Sequence, residues 1–459
     1  MKLFKLPILL TVIYAFIGMS FFHPSVSSAG DSSSLTPSST LANPKKKVKK
    51  KKEKEEENQL SEKTNRKLVP TPFPQPDSIR PAVEFWKKIY AEYDKDDSVI
   101  HDTRYFVIYS VVRKGSYQAT AVEGEAPQAL PVEGATTEGS ARGTLAPVKA
   151  EKKRILEILC KLSQGGYDPK ELTGEEARVY HLFDKIEDSN KFVNAADENR
   201  IRSQRGQKDK FLEAIPNSGK YLTEIEDILI SKGVPWEISR LPFVESMFNL
   251  QARSSVGASG IWQFMPYTGR LYMTVNGQMD ERNDPIEATY GAAALLKDNY
   301  DQLGDWALAI NAYNSGLQTL SNAKAATGTD DIGVIIQNYE GGVYKFASRN
   351  FYPCFLAVLE ISNHYKKYFG DLPRSPKMQY ERITIEAPLR LSEVVSYTGV
   401  DLETLRELNP AYHSSFFYSS KEFPAGKSLK IPKDSKEKFT QAMKEIQERK
   451  ETPSPIAKY

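Results

Sequence analysis

The chain alternates between stretches with a clear hydrophobic rhythm and stretches with none. Val83, Trp86, Ile89, Tyr90 and Tyr93 recur at helical spacing, and residues 103–112 are rich in aromatic and β-branched side chains, which predicts a short strand pair. From 114 to 151 the chain turns to Gly, Ala, Thr, Glu and Pro without periodicity, the pattern of a flexible insertion. Helical patterning returns over 155–192 and 195–230, broken at Gly165, Gly166 and Pro169. Pro235 opens a helix with Ile238, Leu241, Val244 and Phe248 as its buried stripe, and 285–303 and 305–313 predict two more. The expected class is mainly α. Beyond residue 380 the rhythm changes: 380–386 alternates as a strand, 391–395 and 402–408 predict short helices, and 426–432 predicts a closing strand. Residues 435–459 are charged and predict a frayed helix.

Composition adds a destination. Lys2 and Lys5 precede a nearly continuous apolar run over 6–22, and Ser27 and Ala29 are small residues at a spacing suited to cleavage. Residues 1–29 therefore predict an export signal, or a membrane anchor if the segment is retained. Residues 30–69, with a basic-then-acidic block at 45–57, cannot bury a core and predict a solvated tether; its lysines could instead touch anionic lipid or acidic wall polymers. A net charge of +3 is too small to argue for nucleic acid. Export would permit a bridge between Cys160 and Cys354, and two buried thiols are the alternative. The histidines are scattered, so neither a metal nor another cofactor is expected.

The chemistry concentrates in two segments. The first runs Leu-Pro-Phe-Val-Glu-Ser-Met-Phe over 241–248 and then Ser-Val-Gly-Ala-Ser-Gly-Ile-Trp-Gln-Phe-Met-Pro over 255–266; the second is Asn-Ala-Tyr-Asn-Ser-Gly at 311–316. Glu245 is one carboxylate in an apolar run, where desolvation favours the protonated form that a general acid needs. Ser246 has no histidine in the motif to activate it and reads as a backbone-bonding group that shapes a cleft. Gly257 and Gly260 predict tight turns, and no lysine follows where a phosphate loop would need one. Gln263 can orient substrate or the glutamate, whereas Trp262 reads as core and Phe264 and Met265 as pocket lining or core. Tyr313 shares a helix face with Trp306 and Ile310, and Asn314 can bond a ligand or lock its loop. In the acidic run 280–284, Asp284 reads as a helix N-cap and Asp280 and Glu281 as solvated loop groups.

Glu-Ser, then Gly-x-x-Gly-x-Trp-Gln-x-x-Pro, then Ala-Tyr-Asn-Ser-Gly, in that order, resembles the lytic transglycosylase family, in particular its membrane-bound type D members. The resemblance implies a lysozyme-like (goose-type) helical catalytic domain at 211–370, behind an N-terminal helical extension at 70–210. The β-α-α-β order at 380–432 resembles a LysM-like glycan-binding module, followed by a charged tail at 433–459. That module departs from its family, because Ala-Pro-Leu-Arg-Leu at 387–391 replaces the usual Gly-Asp-Thr-Leu. The family likeness implies Glu245 as the sole catalytic acid and base, with Ser246, Gly260, Gln263, Met265, Tyr313 and Asn314 around the substrate. The implied partner is peptidoglycan in a periplasm, and the implied product a 1,6-anhydromuramoyl end formed without water. Phe351 stands where relatives carry a tyrosine, so Tyr339, Tyr344 and Tyr352 are candidates for the missing hydroxyl. The rival readings are a muramidase that hydrolyses the same bond, which if inverting needs a second carboxylate to activate water, and a catalytically idle peptidoglycan-binding scaffold.

Overall fold

The structure is a computed structural model that describes residues 71–114, 119–120 and 145–451. The expected signal and tether, and most of the expected insertion, lie outside the described residues. Helix α1 (Arg80–Ala91) begins with Pro81 in its first turn and buries Val83, Phe85, Trp86, Ile89 and Tyr90 along one face. A hairpin follows, β1 (Asp97–Asp102) and β2 (Ile108–Arg113), so the predicted strand pair is present but starts earlier. The sheet order is β3-β2-β1-β4, with β3 at Ala119–Thr120 and β4 at Ile201–Arg205.

Strand β4 falls where the sequence predicted helix. It pairs antiparallel with β1, Ser98 opposite Arg205 and Asp102 opposite Ile201. The buried second edge of β1 needs partners for its peptide groups, and that demand overrides a weak local preference. Helix α2 (Leu145–Ser163) likewise begins inside the predicted insertion. Its Ile155, Leu159 and Leu162 pack with Tyr109, Phe183 and Val179 of α3 (Gly174–His181) in a small separate core.

The predicted catalytic region is built from α4 (Lys208–Gly219), α5 (Leu222–Ser231), α6 (Leu241–Glu245), α7 (Pro266–Tyr272) and α8 (Pro285–Leu303). It continues through α9 (Trp306–Ser315), α10 (Leu317–Thr327), α11 (Ile332–Asn338) and α12 (Phe346–Asn363). The helix expected from Pro235 is a 3₁₀ turn, Trp236–Arg240, followed by the short α6. Pro242 lies in the first turn of α6, where its missing N–H is harmless, so the α-ladder restarts there. Its predicted stripe is nevertheless buried. Helix α8 has the predicted bounds: Asp284 accepts from the amides of Ile286 and Glu287, and Gly304 ends it in the left-handed conformation. Cys160 is exposed on α2 and Cys354 buried on α12, both as free thiols, so the bridge is not formed.

In the C-terminal module β5 (Tyr380–Thr384) pairs antiparallel with β6 (Ser428–Pro432), and α13 (Leu391–Thr398) and α14 (Leu402–Leu408) lie between them in sequence. The expected frayed tail is instead a packed helix, α15 (Lys436–Glu451). Its Phe439, Ala442 and Ile446 enter the same core as Ile383, Leu391 and Phe423. The charged majority of α15 masks that apolar stripe in composition. Among the described residues no helix is long and apolar enough to cross a membrane, and no acidic, His or Cys cluster could hold a metal ion.

Helix α1 packs on α12, and a buried hydrogen bond ties the two, Trp86 Nε1 donating to Asn350 Oδ1 at 2.7 Å. Replacing Asn350 by Ala removes this acceptor from a buried indole, so unfolding stability should fall by about 1–3 kcal/mol. The urea midpoint of the purified protein measures the loss.

Candidate active site

Glu245 is the last residue of α6, and the chain leaves the helix abruptly after it. Met247 and Phe248 both adopt left-handed backbone, φ 52° and 51°, which side-chain-bearing residues avoid. Packing holds the strain: Phe248 is fully buried and its ring meets Phe243 edge-on at 4.6 Å. The result is a carboxyl at the mouth of a helix end, half-buried, with no hydrogen-bond or ion-pair partner among the described residues. Desolvation alone pushes Glu245 up to about 8. Because the residue keeps part of its surface in solvent, this carboxyl is not sealed in the core.

Facing it is the loop 257–264, whose carbonyls are held from several directions. Ser246 Oγ donates to Ile261 O at 3.0 Å, and Tyr313 Oη donates to Trp262 O at 2.7 Å. Arg282 Nη1 donates to both Gly257 O and Phe264 O at 2.9 Å. Gln263, itself at φ 49°, turns its amide inward, donating to Gly260 O at 2.8 Å and Ala252 O at 3.2 Å. Gly260 is required by proximity: at φ 76° a Cβ would stand 1.7 Å from Arg282 O. Trp262 is fully buried and its indole N–H donates to Thr289 Oγ1 at 2.9 Å, which places it in the core.

The structure thus brings together Glu245, Ser246, Gly260, Gln263 and Tyr313, but it spends the polar atoms of Ser246, Gln263 and Gly260 on the loop's own backbone. Tyr313 donates its proton to Trp262 O and keeps its oxygen lone pairs as acceptors. Burial first, and the charge of Glu245 second, push its phenol well above the ordinary range, which sets the two groups near each other. Met265 caps α7 and is half-buried, and Asn314, also half-buried, has an amide without a hydrogen-bond partner among the described residues. Gln263 Oε1 is likewise without a hydrogen bond among the described residues.

The acidic run is fully engaged. Asp280 receives both Arg282 Nε at 2.8 Å and Nη2 at 2.7 Å, Glu281 accepts from the Thr274 amide at 2.6 Å, and Asp284 is ion-paired with Lys430 at 2.7 Å. Asp280 and Glu281 are therefore not the solvated loop groups that the sequence suggested. Of the tyrosines proposed for the hydroxyl missing at Phe351, Tyr344 and Tyr352 are fully buried. Sequence reasoning missed Tyr90. It is fully buried on α1, its phenol pushed up by burial, the Cys354 thiol and the charge of Glu245, and its hydroxyl lacks a strong hydrogen-bond partner. In sequence it was one more apolar position in a helical stripe.

Comparison with known proteins agrees with the motif order. The family "Transglycosylase SLT domain" matches residues 229–336, and "Lytic transglycosylase MltD, LysM-like domain" matches 379–448. Membrane-bound lytic murein transglycosylase D of Escherichia coli K12 is 28% identical over 204 residues, 42% of this chain and 43% of that protein. A transglycosylase of Enterobacteria phage PRD1 is 35% identical over 101 residues, 22% of this chain and 32% of that one. Among solved structures, the lytic transglycosylase Slt of Pseudomonas aeruginosa overlaps loosely, with a TM-score of 0.29 and 19% identity over 50% of this chain and 34% of that one. The chain spans less than half the length of the curated relatives named here. Both matched regions carry the motifs and the element order described above, so over residues 229–336 and 379–448 the chain is similar to the transglycosylase SLT and MltD LysM-like domain families.

Proposed function

We propose that this protein is a peptidoglycan lytic transglycosylase, acting on the β-1,4 bond between N-acetylmuramic acid and N-acetylglucosamine with Glu245 as its one acid and base. The observation that carries the reading is the state of Glu245, a carboxyl without a partner among the described residues and pushed up to about 8 by desolvation. Protonated at neutral pH, it can deliver its proton to the glycosidic oxygen as the bond breaks. The carboxylate left behind then accepts the proton of the muramoyl C6 hydroxyl as that oxygen closes on C1. The ring is held so that the hydroxyl is present at high effective concentration, and no water need be activated. An inverting hydrolase would need a further carboxylate for that purpose. Asp280, Glu281 and Asp284, the acidic cluster that follows it in sequence, are bound to Arg282, the Thr274 amide and Lys430. Asn314 and Met265 contact the acetamido groups in this reading, and Ser246, Gln263 and Tyr313 keep the loop in register. Such an enzyme works in the periplasm, and attachment to the membrane through residues 1–29 belongs to the same proposal.

The decisive experiment is mass spectrometry of muropeptides released from purified sacculi. The parent protein should release products ending in 1,6-anhydromuramic acid, and Glu245→Gln should release none. Reducing muramic ends would instead establish a muramidase, and no release by the folded parent would establish a scaffold.

Turnover should fall as pH rises through about 8, where Glu245 loses the proton it must donate. Because folding raises this pKa above its usual 4.5, the protonated folded state is favoured below that range, and stability is lost as pH rises toward 8. Glu245→Gln should therefore be matched to the parent in melting temperature at pH 4 and increasingly more stable up to pH 8; equal melting at both ends would refute the desolvated acid. Tyr313→Phe removes the donor to Trp262 O and should reduce turnover by about ten- to a hundredfold while leaving binding to sacculi intact.

A further inference from the structure

The C-terminal module does not simply hang from the catalytic domain. Lys430, on β6, is buried, and its ammonium lies 2.7 Å from both carboxylate oxygens of Asp284, itself buried at the start of α8. Asn409 clamps the backbone of Lys430 from both sides, its Oδ1 accepting from the Lys430 amide at 2.8 Å and its Nδ2 donating to Lys430 O at 2.7 Å. Arg382 of β5 pairs with Glu287 at 2.6 Å. Main-chain bonds continue the seam: the Asp280 amide donates to Ala411 O at 2.7 Å, and the His413 amide to Gln278 O at 3.1 Å. A cavity of ≈ 230 Å³ lies along this seam, lined by Glu281, Arg382, Tyr412 and Lys427 among others.

What the module grips is the segment 278–284, which also supports the cleft. Arg282 sits between the two gripped residues, Asp280 and Asp284, and its guanidinium is the donor to Gly257 O and Phe264 O. Arg282 O occupies the space in which Gly260 must have no Cβ, and Asn283 Oδ1 accepts from Ser259 Oγ at 2.6 Å. A displacement of 278–284 is therefore passed directly to the loop that faces Glu245. A 1 Å error in such a loop is enough to cost orders of magnitude in rate.

We propose that the LysM-like module is a structural brace of the catalytic cleft, with Lys430, Asp284 and Arg282 as positioning residues that hold the loop 257–264 in its working geometry. The grip itself is independent of the reaction, whereas its effect on turnover rests on the reading of Glu245 given above. The tie is polar and buried, so it fixes one docking geometry where an apolar contact would tolerate sliding. The substitution Ala-Pro-Leu-Arg-Leu at 387–391 is compatible with a module whose retained role is mechanical.

The test uses the full chain with Lys430→Met and Asp284→Asn combined, which removes the buried pair without stranding a charge and keeps a side chain able to cap α8. Hydrogen–deuterium exchange reads the Gly260 and Gln263 amides against those of α12. The brace predicts faster exchange in the loop and unchanged exchange in α12, with turnover on sacculi down about tenfold and co-sedimentation with sacculi retained. A melting temperature restored in the double variant relative to Lys430→Met alone, with turnover still low, separates positioning from general stability. Unchanged loop exchange in the folded double variant overturns the proposal. Should the double variant not fold, Arg382→Gln cuts the more exposed tie to Glu287, and unchanged loop exchange there overturns it equally. If the parent shows no turnover, the function proposed above fails, and the exchange measurement alone decides the brace.

Discussion

One buried guanidinium fixes the working face of this protein. Arg282 is oriented by a two-pronged bond to Asp280, and the rest of its donors go to the carbonyls of Gly257 and Phe264, the two ends of the loop across from Glu245. A planar, permanently charged fork is well suited to this position, because it satisfies several acceptors at fixed angles and its own charge is balanced within the same segment. Loop carbonyls removed from water need donors, and here Arg282, Ser246, Tyr313 and Gln263 supply them. The residues most tempting to assign to substrate are thus, in large part, the ones that hold the loop in shape.

Against that fixed loop Glu245 is left conspicuously alone. Charges could have been arranged to lower its pKa, as Arg178 and Arg154 do for Glu175, held down to about 2. Instead, helix α6 ends at Glu245, strained left-handed residues turn the chain away, and aromatic packing removes competing polar groups. The acidic groups of the site are divided by environment into one desolvated carboxyl without a partner among the described residues and several structural ligands. A single carboxyl in this state suits chemistry in which the nucleophile is part of the substrate.

The N-terminal extension and the module both reach the catalytic region through specific polar contacts, the extension adding aromatic packing of Trp86 on Phe346 and of Tyr90 on Phe211. Trp86 meets Asn350 on one side, and Lys430 meets Asp284 on the other. Buried polar contacts of this kind add little net stability compared with apolar packing, but they penalise every misaligned arrangement. That compromise is reasonable for parts that serve to hold a loop in place.

The helical class, the bounds of α8, the position of Glu245 at a helix end and the β-α-α-β order of the module were all legible in the chain, because each rests on local periodicity, capping or punctuation. Pro285 and Asp284 announce a helix start in any context, and Glu245 among Leu241, Phe243, Val244 and Phe248 announces a desolvated carboxyl. Strand β4 was not legible, since its polar sequence becomes a strand only when β1 offers an unpaired edge. Nor was the partnership of Lys430 with Asp284, 146 positions apart, or the closeness of Tyr90 to Glu245. The apolar face of α15 was hidden by its charge. Sequence alone determined which groups are candidates for the chemistry, through side-chain type and short-range spacing. Tertiary structure alone decided which polar atoms remain free to perform it, because hydrogen bonds and ion pairs are claimed by whichever buried groups the fold brings within reach.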